Sequence, residues 1–409
     1  MDNASRGSRP RRGDEPVHDE RARPAWILPV IVLSQFAGTS LWFAGNAVLG
    51  DLQAAWGLAP AALGYATSAV QLGFIVGTLA FAFFAVSDLV SPRKVFFACA
   101  LAGAASNLGI VAFGSGFWSL LAFRFLTGFF IAGIYPVGMK IASGWYQRDL
   151  GNALGFLVGA LVVGTAFPHL LRALGETLPW AGVLVAVSAI AAAGGVLMLL
   201  FVPDGPHLAR GAKFDPNALA VIFRSRDFRA SCFGYFGHMW ELYAFWAFVP
   251  VALAAHGAGG LNVPFWAFIV IAAGFLGCAA GGLVSLRAGS ARVAWTQLAA
   301  SGACCVVSPL AFSAPAPVFL AFLVFWGIVV VGDSPQFSAL NARYAPRELV
   351  GSALTIGNCI GFSITIASIQ LLAALAGALP QAWLFVALAP GPLLGLLALR
   401  PLLGDRPGN

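Results

Sequence analysis

Long apolar stretches, separated by short polar or basic connections, follow one another from residue 26 to residue 403. A helix needs about 20 apolar residues to cross the hydrocarbon core of a bilayer. By that measure the pattern predicts an all-α polytopic membrane protein with twelve transmembrane helices, so both termini lie on one side. The predicted spans are residues 26–49, 60–86, 95–114, 117–142, 151–172, 179–202, 229–255, 263–285, 293–313, 316–340, 350–376 and 380–403.

The polar segments divide the chain into two lobes. Residues 1–25 are rich in Arg, Asp, Glu and Pro and contain no apolar run, which predicts a disordered cytoplasmic tail without a cleavable signal peptide. The longest internal polar segment, 203–228, contains three prolines and is the predicted cytoplasmic linker. We therefore expect an N-terminal lobe at 26–202, a C-terminal lobe at 229–403 and a short cytoplasmic tail at 404–409.

The composition indicates that the chain lies in a lipid bilayer, and the positions of the charges indicate which side its termini face. Apolar residues make up 59% of the chain, charged residues 10%, and the mean hydropathy is +0.85, which excludes an ordinary soluble domain. Cytoplasmic loops of membrane proteins carry an excess of Lys and Arg. Nearly all basic residues lie in cytoplasmic segments if the termini are inside, so the net charge of +7 reports topology in the inner (plasma) membrane and not nucleic-acid binding.

Several chemical functions lack a sequence signature. We find no phosphate-binding glycine loop, no His and Cys spacing typical of a metal site, and no Ser-His-Asp arrangement with supporting context. All six cysteines fall inside apolar stretches and are predicted to be small core residues. The sequence therefore indicates no enzyme activity, no cofactor, no metal and no ATP-driven transport.

The second half of the chain repeats the first. An offset of 199 residues relates one set of glycines and a proline in the fourth span to an equivalent set in the tenth. Short basic loops at 88–94 and 286–292 recur at nearly the same offset. Parallel six-helix repeats predict two lobes related by a pseudo-twofold axis, with a solute path between them. The matched pairs are Gly128 and Gly327, Gly133 and Gly332, and Pro136 and Pro335, followed by 148–150 and 347–349.

Over residues 26–403 this organisation resembles the major facilitator superfamily of secondary transporters. In that family the loop after the second span carries a Gly-x-x-x-Asp-Arg-x-Gly-Arg-Arg pattern, and both basic loops here keep parts of it. The resemblance implies that this loop latches the lobes in an outward-facing state, with Asp88 near Gly351 at the start of the eleventh helix, where a carboxylate is favoured. The implied gating residues are Asp88, Arg93, Lys94, Arg287 and Arg292.

Charged groups inside lipid-spanning helices are costly and are therefore functional candidates. Arg124 lies in the fourth span, four residues before Gly128, and resembles an Arg-x-x-x-Gly signature that the family ties to proton coupling or to substrate charge. The alternative is an arginine that pairs with helix carbonyls and braces the N-terminal lobe. The repeat has Leu323 at the matching position, so symmetry does not require a charge there.

Three further titratable residues are candidates for proton coupling. His238 and Glu241 lie three residues apart in the seventh span and therefore share one helical face near the middle of the membrane. Histidine titrates near neutral pH, so this pair is expected to load and release a proton. The alternative is a hydrogen-bonded pair that fixes the helix. Asp333, in the tenth span, is predicted to be either a second proton site or a gate charge facing Arg287 or Arg343.

Polar and aromatic residues near the same depth are the candidates for binding solute. Thr39 and Trp42 match His238 and Glu241 at the offset of 199. Most Trp and Tyr residues in membrane proteins serve packing or interfacial anchoring, which is the alternative for each of them. The predicted substrate-binding residues are Arg124, Gln35, Thr39, Trp42, Tyr135, Tyr235, Trp240, Tyr243 and Asn358, with Asn46, Gln71 and Trp246 weighed in the same way.

Together these features predict a monomeric secondary transporter that moves a small organic solute across the membrane by rocking one lobe against the other. Protons are the preferred coupling ion. An anionic solute is one option, because Arg124 is the single strong cation inside the spans. Two alternatives stay open: an efflux antiporter of the same fold, and a membrane receptor that does not transport.

Overall fold

The computed structural model describes residues 24–146, 150–175, 178–208, 214–257 and 260–404, and all regular structure within these ranges is helical. Ten helical segments there are long and apolar enough to cross a membrane. Two others complete the predicted twelve. We label the segments α1 to α12: Ile27–Thr39 with its continuations Ala44–Ala47 and Leu49–Trp56, Ala62–Phe83, Pro92–Phe113, Phe117–Trp145, Leu150–Leu174, Trp180–Phe201, Arg226–His256, Val263–Ala288, Ser290–Phe312, Ala316–Tyr344, Arg347–Leu375 and Gln381–Gly404.

The first and seventh segments differ from the other ten for physical reasons. The backbone of α1 turns at Ser40–Phe43, so its first helix has only 13 residues. Helix α7 has 31 residues, but it carries His238 and Glu241 as well as charges at its first turn, which lower its mean hydropathy. The all-α prediction is confirmed. These two segments, which least resemble lipid-facing helices, hold most of the candidates for substrate binding and proton coupling.

Close glycine contacts confirm the internal repeat in three dimensions. In the first half, Gly128 of α4 packs against the backbone carbonyl of Val70 in α2. In the second half, Gly327 of α10 packs against the carbonyl of Val270 in α8. A second matched pair is formed by Gly77 on the Phe129 carbonyl and Gly277 on the Ile328 carbonyl. A Cβ at any of these glycines would collide with the neighbouring backbone, so small residues let the helices approach.

The helix contacts follow the same symmetry. Within the halves, α2 packs on α4 as α8 packs on α10, and α1 packs on α6 as α7 packs on α12. Between the halves, α2 contacts α11 and α5 contacts α8, and the twofold exchanges these two interfaces. The molecule therefore consists of two six-helix lobes related by a pseudo-twofold, as predicted.

The described parts of the predicted linker attach to different lobes. The Pro203 carbonyl accepts from Nε1 of Trp145 at 2.9 Å, next to α4. On the other side, the backbone N–H of Asp215 donates to Oγ of Ser352 in α11 at 3.0 Å. The lobe boundaries at 26–202 and 229–403 stay a prediction. The repeat positions 148 and 149 and most of the two predicted tails lie outside the described residues.

Candidate functional site

The turn in α1 is held by Arg124. The Arg124 side chain is fully buried in α4, and its guanidinium donates to the Leu41 carbonyl at 3.2 Å, to the Trp42 carbonyl, and to Oδ1 of Asn46 at 3.5 Å. Nε has no partner in the described chain. Backbone carbonyls in a turn lack the internal partners of a regular helix. Arg124 therefore binds the turn that presents Trp42, and its role as a brace or as a functional charge stays a prediction.

A chain of amides links this turn to the other lobe. Nε1 of Trp42 donates to Oε1 of Gln71 at 3.0 Å, and Nε2 of Gln71 donates to Oγ1 of Thr365 in α11 at 3.2 Å. All three side chains are fully buried. Nearer one end of the same interface, Nε2 of Gln370 donates to Oγ of Ser68 at 2.8 Å. These bonds fix α2 against α11 through neutral groups.

Aromatic rings from both lobes fill the space beside the amide chain. Trp42 lies 5.6 Å from Phe362, ring centroid to centroid, with an interplanar angle of 21°, and Phe74 lies 4.4 Å from Phe362. Aromatic pairs at such separations add stabilisation beyond the area they bury. We call these six buried rings the ring cluster: Trp42, Phe43 and Phe74 from the first lobe, and Tyr243, Trp246 and Phe362 from the second.

His238 is paired with Asp333 and not with Glu241. Nδ1 of His238 lies 2.9 Å from Oδ1 of Asp333, and both side chains are 1% exposed. The two groups lie in direct contact, but they are not aligned as a hydrogen bond. The pair joins α7 to the break in α10, where Asp333 separates the helices Ala316–Gly332 and Ser334–Tyr344. Asp333 is thus a buried partner of an imidazole, and its role as a proton site or as a gate charge stays a prediction.

Glu241 occupies a separate polar cluster inside the C-terminal lobe. Its Oε1 accepts from Oγ of Ser301, from Nε1 of Trp326 at 2.7 Å and from Sγ of Cys305 at 3.5 Å. These donors come from α9 and α10, so the carboxyl group faces away from the ring cluster. Glu241 and Asp333 still lie close enough to interact electrostatically. The C-terminal lobe therefore buries two carboxyl groups and one imidazole within a short distance of each other.

The other predicted substrate-binding residues divide into two groups. Tyr135, Tyr235 and Tyr243 come from both lobes and lie within electrostatic reach of one another. By contrast, Nε1 of Trp240 donates to the Ala387 carbonyl at 3.4 Å, which places that indole inside the C-terminal lobe. Asn358 is half-buried in α11.

The two predicted residues in the first part of α1 are fully buried. Oγ1 of Thr39 donates to the Gln35 carbonyl within α1 at 2.8 Å. Both amide atoms of Gln35 lack a hydrogen-bond partner among the described residues, and a Cβ on Gly138 of α4 would collide with its Oε1. Gln35 therefore keeps donors and acceptors that no described protein group uses.

The predicted gating residues lie at the opposite end of the molecule from the Ser68–Gln370 bond. Asp88 forms an ion pair with Nζ of Lys140 at 2.5 Å, so the structure brings it to α4. Arg93 donates to the Leu199 carbonyl at 3.3 Å, within the first lobe. The gating role of both loops stays a prediction. Three of the five side chains are exposed: Lys94, Arg287 and Arg292.

The two ends of the lobe interface differ. At the end of Ser68, the lobes are joined by hydrogen bonds and by the close contact of Gly64 with Ala373. At the other end, four glycines of the interface helices have no neighbouring described atom within 4 Å of an added Cβ. These are Gly151 and Gly155 of α5, Gly282 of α8 and Gly351 of α11. Hydrogen bonds join the lobes at the first end, and we call the other end, where these four glycines have open space beside them, the spread end.

Several residues of the site were not predicted from the sequence. Ser301 and Trp326 carry no charge, so nothing in the pattern marks them as partners of Glu241, although Trp326 directly precedes the repeat residue Gly327. Phe362 and Thr365 lie in an unremarkable apolar stretch. Lys140 was a detectable signal, because it is a charge close to the end of a predicted span.

Comparison with known proteins gives one family. A family model described as Major Facilitator Superfamily matches residues 30–369. The protein named "Uncharacterized MFS-type transporter YcaD" of Escherichia coli is 27% identical over 223 residues, 53% of this chain and 55% of YcaD. Its Salmonella enteritidis counterpart is 28% identical over 265 residues, 61% of this chain and 64% of that protein. The matched part of the chain thus spans between half and two thirds of the length of these relatives.

Two solved structures share the fold. The human organic anion transporter MFSD10 (TETRAN) superposes with a TM-score of 0.67 at 15% identity, covering 93% of this chain and 99% of that one. The nucleoside transporter NupG also gives a TM-score of 0.67, at 13% identity, covering 93% of this chain and all of that one. At these identities the likeness concerns architecture alone.

Proposed function

The chain belongs to the Major Facilitator Superfamily, and we propose that it is a secondary active transporter that moves a small organic solute by alternating access. The family makes it a multi-pass membrane transporter and points to a non-enzymatic role. The observation that carries the finer proposal is the asymmetry of the lobe interface. Hydrogen bonds and rings close one end, whereas the glycines at the other end face open space.

The orientation follows from the charges. The spread end carries the basic loops at 88–94 and 286–292, and cytoplasmic loops are enriched in Lys and Arg. We therefore place both termini and the spread end in the cytoplasm and assign the structure to an inward-facing state. On this assignment the ring cluster is the barrier on the outer side, and the protein works as a monomer in the inner (plasma) membrane.

Protons are the proposed coupling ion, with the C-terminal lobe as the proton-binding lobe. Glu241, His238 and Asp333 are buried groups that can each bind a proton, and they lie on α7 and α10. Buried titratable groups inside a membrane are typical of proton relays. Arg124 is assigned a positioning role, because two of its contacts go to carbonyls of the turn that holds Trp42 and the third goes to Asn46 just after that turn. An anionic solute would have to displace those contacts.

A cross-link across the closed end tests alternating access. Ser68 and Gln370 face each other across the closed end, where the glutamine amide reaches the hydroxyl at 2.8 Å. A direct disulfide needs closer backbones than this bond guarantees, so a short reducible bis-thiosulfonate reagent joins the two thiols of Ser68→Cys/Gln370→Cys. We expect the cross-linked protein to lose solute flux in proteoliposomes and to regain it on reduction. Each single variant, treated with the same reagent, is the matched control. Undiminished flux through fully cross-linked protein would refute a path that opens at this end.

Direction and coupling are measured in the same vesicles. A solute found by thermal-shift screening of the purified protein is added outside, and a pH gradient is imposed. Proton symport predicts uphill solute entry together with alkalinisation of the outer medium. Accumulation in inverted vesicles instead would identify an efflux antiporter, and the absence of any flux for a bound solute would favour the receptor alternative.

A further inference from the structure

The ring cluster closes the path with rings that come from separate lobes. Five of its close ring pairs cross the lobe interface: Trp42 with Tyr243, Trp42 with Phe362, Phe43 with Tyr243, Phe43 with Trp246, and Phe74 with Phe362. If the lobes rock apart at this end, every one of these contacts is broken. Each lobe then presents bare aromatic faces to the path, which leaves a large apolar area uncovered.

The polar groups beside these rings are neutral. Gln71 accepts from Trp42 and donates to Thr365, and the carboxyl group of Glu241 is turned to the far side of α7. The guanidinium of Arg124 is held by carbonyls of the turn. A charged solute between the rings would therefore meet no free counter-charge, and burying a charge without a partner is expensive.

One donor in the cluster has no acceptor. Nε1 of Trp246 is buried and makes no hydrogen bond to any described group, although its ring lies 5.3 Å from Tyr243 and 6.3 Å from Phe43. A buried indole N–H usually finds a partner. Trp246 therefore keeps a buried donor that is free to bond to an acceptor oxygen or nitrogen.

From these observations we propose that the ring cluster is the solute site, and that the solute is an uncharged molecule with a flat aromatic ring and a hydrogen-bond acceptor. The ring inserts between Trp42 and Phe362 when the outer end opens, and the acceptor bonds to Nε1 of Trp246. The solute ring replaces the broken contacts between the lobes, so binding favours reclosure around it. This inference rests on the proposed transport function, because it assigns the substrate class of that function.

Two neutral probes distinguish the contribution of a flat ring from that of the carboxamide group. Benzamide and cyclohexanecarboxamide carry the same carboxamide and differ in whether the ring is flat. Calorimetric titration of the full-length protein in nanodiscs is expected to show benzamide binding about tenfold more tightly, the size of an aromatic pairing. Trp246→Phe keeps the ring and removes the donor, and we expect it to weaken benzamide about tenfold. Trp42→Leu is expected to abolish the preference for benzamide.

The controls keep the test decisive. Trp118→Leu removes a tryptophan that is 79% exposed and should change nothing. If Trp42→Leu does not fold, Phe362→Leu replaces it, because Phe362 is the facing ring. Equal affinity for the two probes, no binding of either, or a preference that survives in the folded Trp42→Leu or Phe362→Leu protein would each overturn the proposal.

Counterflow of the same probes distinguishes this inference from the transport proposal. A ring preference in binding without any counterflow would leave the ring site standing and remove the transport function. Counterflow of both probes without any ring preference would support the transport function and remove the ring site.

Discussion

The N-terminal lobe buries one permanent cation against backbone carbonyls, whereas the C-terminal lobe buries two carboxyl groups and an imidazole against side chains. The difference arises at matched positions of one repeated fold. Thr39 and Trp42 stand where the other lobe has His238 and Glu241, and Arg124 stands where it has Leu323. An arginine does not lose its proton under cellular conditions, but carboxyl and imidazole groups do.

This comparison suggests a division of labour between the lobes. The glycine contacts that set helix spacing are the same in both, so architecture does not dictate where the charge lies. The N-terminal lobe uses its charge to shape the turn that carries Trp42. The C-terminal lobe holds a buried group of two carboxyls and one imidazole on α7 and α10, whereas the N-terminal lobe buries the single imidazole of His169 in α5. The predictions below test each side of this division.

The largest effect is expected from breaking the buried pair in the C-terminal lobe. Asp333→Leu leaves His238 without its partner, and removing one member of a buried ion pair typically costs about 3–5 kcal/mol. Denaturant unfolding of the solubilised protein measures the loss. The double variant His238→Leu/Asp333→Leu should recover most of that stability, because no orphaned group remains.

A partly exposed ion pair serves as the control for that measurement. Asp51 pairs with Arg172 at 2.9 Å, and surface pairs contribute about 0–1 kcal/mol, so Asp51→Leu should have little effect. If Asp333→Leu lowers the free energy of unfolding no more than Asp51→Leu does, the buried pair of His238 and Asp333 does not stabilise the protein.

The brace in the N-terminal lobe is expected to give the next largest effect. Arg124→Met removes the donors to the Leu41 and Trp42 carbonyls, and the loss of charged hydrogen bonds of this kind should cost about 3 kcal/mol. Leu323→Met at the repeat-related position is the matched control and should stay within about 1.5 kcal/mol. Solute affinity of folded Arg124→Met should fall no further than that of Trp42→Leu, because Arg124 acts on the solute through the turn that holds Trp42. A loss of affinity far larger than the loss of stability would instead make Arg124 the binding site of an anionic solute.

Sequence alone predicted the features that depend on periodic pattern. The twelve segments, the two lobes and the repeat at Gly128 and Gly327 followed from apolar runs and from residues that only close helix packing requires. The sequence also selected His238, Glu241, Asp333 and Arg124, because charge inside a span is rare enough to be informative.

Partners could not be predicted in the same way. His238 and Asp333 lie on helices far apart in the chain, and helical periodicity reports that a face is buried without reporting what covers it. Sequence spacing favoured a joint role for His238 and Glu241, yet the two side chains turn to different neighbours. The break in α1 also lacked a signal, since Ser40–Phe43 contains neither glycine nor proline. Its stability depends on Arg124 from another helix.

A smaller effect is expected for proton coupling. Glu241→Gln keeps an acceptor for Ser301 and Trp326 and removes the ionisable carboxyl group. With one proton per solute, a gradient of one pH unit supports roughly tenfold accumulation, since tenfold corresponds to about 1.4 kcal/mol. We expect this ratio to fall to about one in the variant, while exchange of labelled for unlabelled solute continues.

Ser301→Ala is the control for this measurement, because it removes a hydrogen bond to Glu241 and leaves the carboxyl group in place. Accumulation should persist in that variant. If Glu241→Gln still accumulates solute about tenfold, Glu241 is not the coupling site. The site would then be the pair of His238 and Asp333, or a group outside this lobe.

The smallest effect concerns the interface between the lobes. Gln71→Leu breaks the amide chain from Trp42 to Thr365, and a neutral hydrogen bond contributes about 1 kcal/mol, so the balance between the two states should shift about fivefold towards closure of the spread end. A cysteine at Gly155, which has open space around it in this state, should then react more slowly with a membrane-impermeant maleimide in inverted vesicles. Asn107→Leu is the matched control, because that buried amide bonds Ser188 and the Leu184 carbonyl within one lobe. Equal slowing by both variants would mean that general loosening, and not the loss of a bond between the lobes, sets the rate.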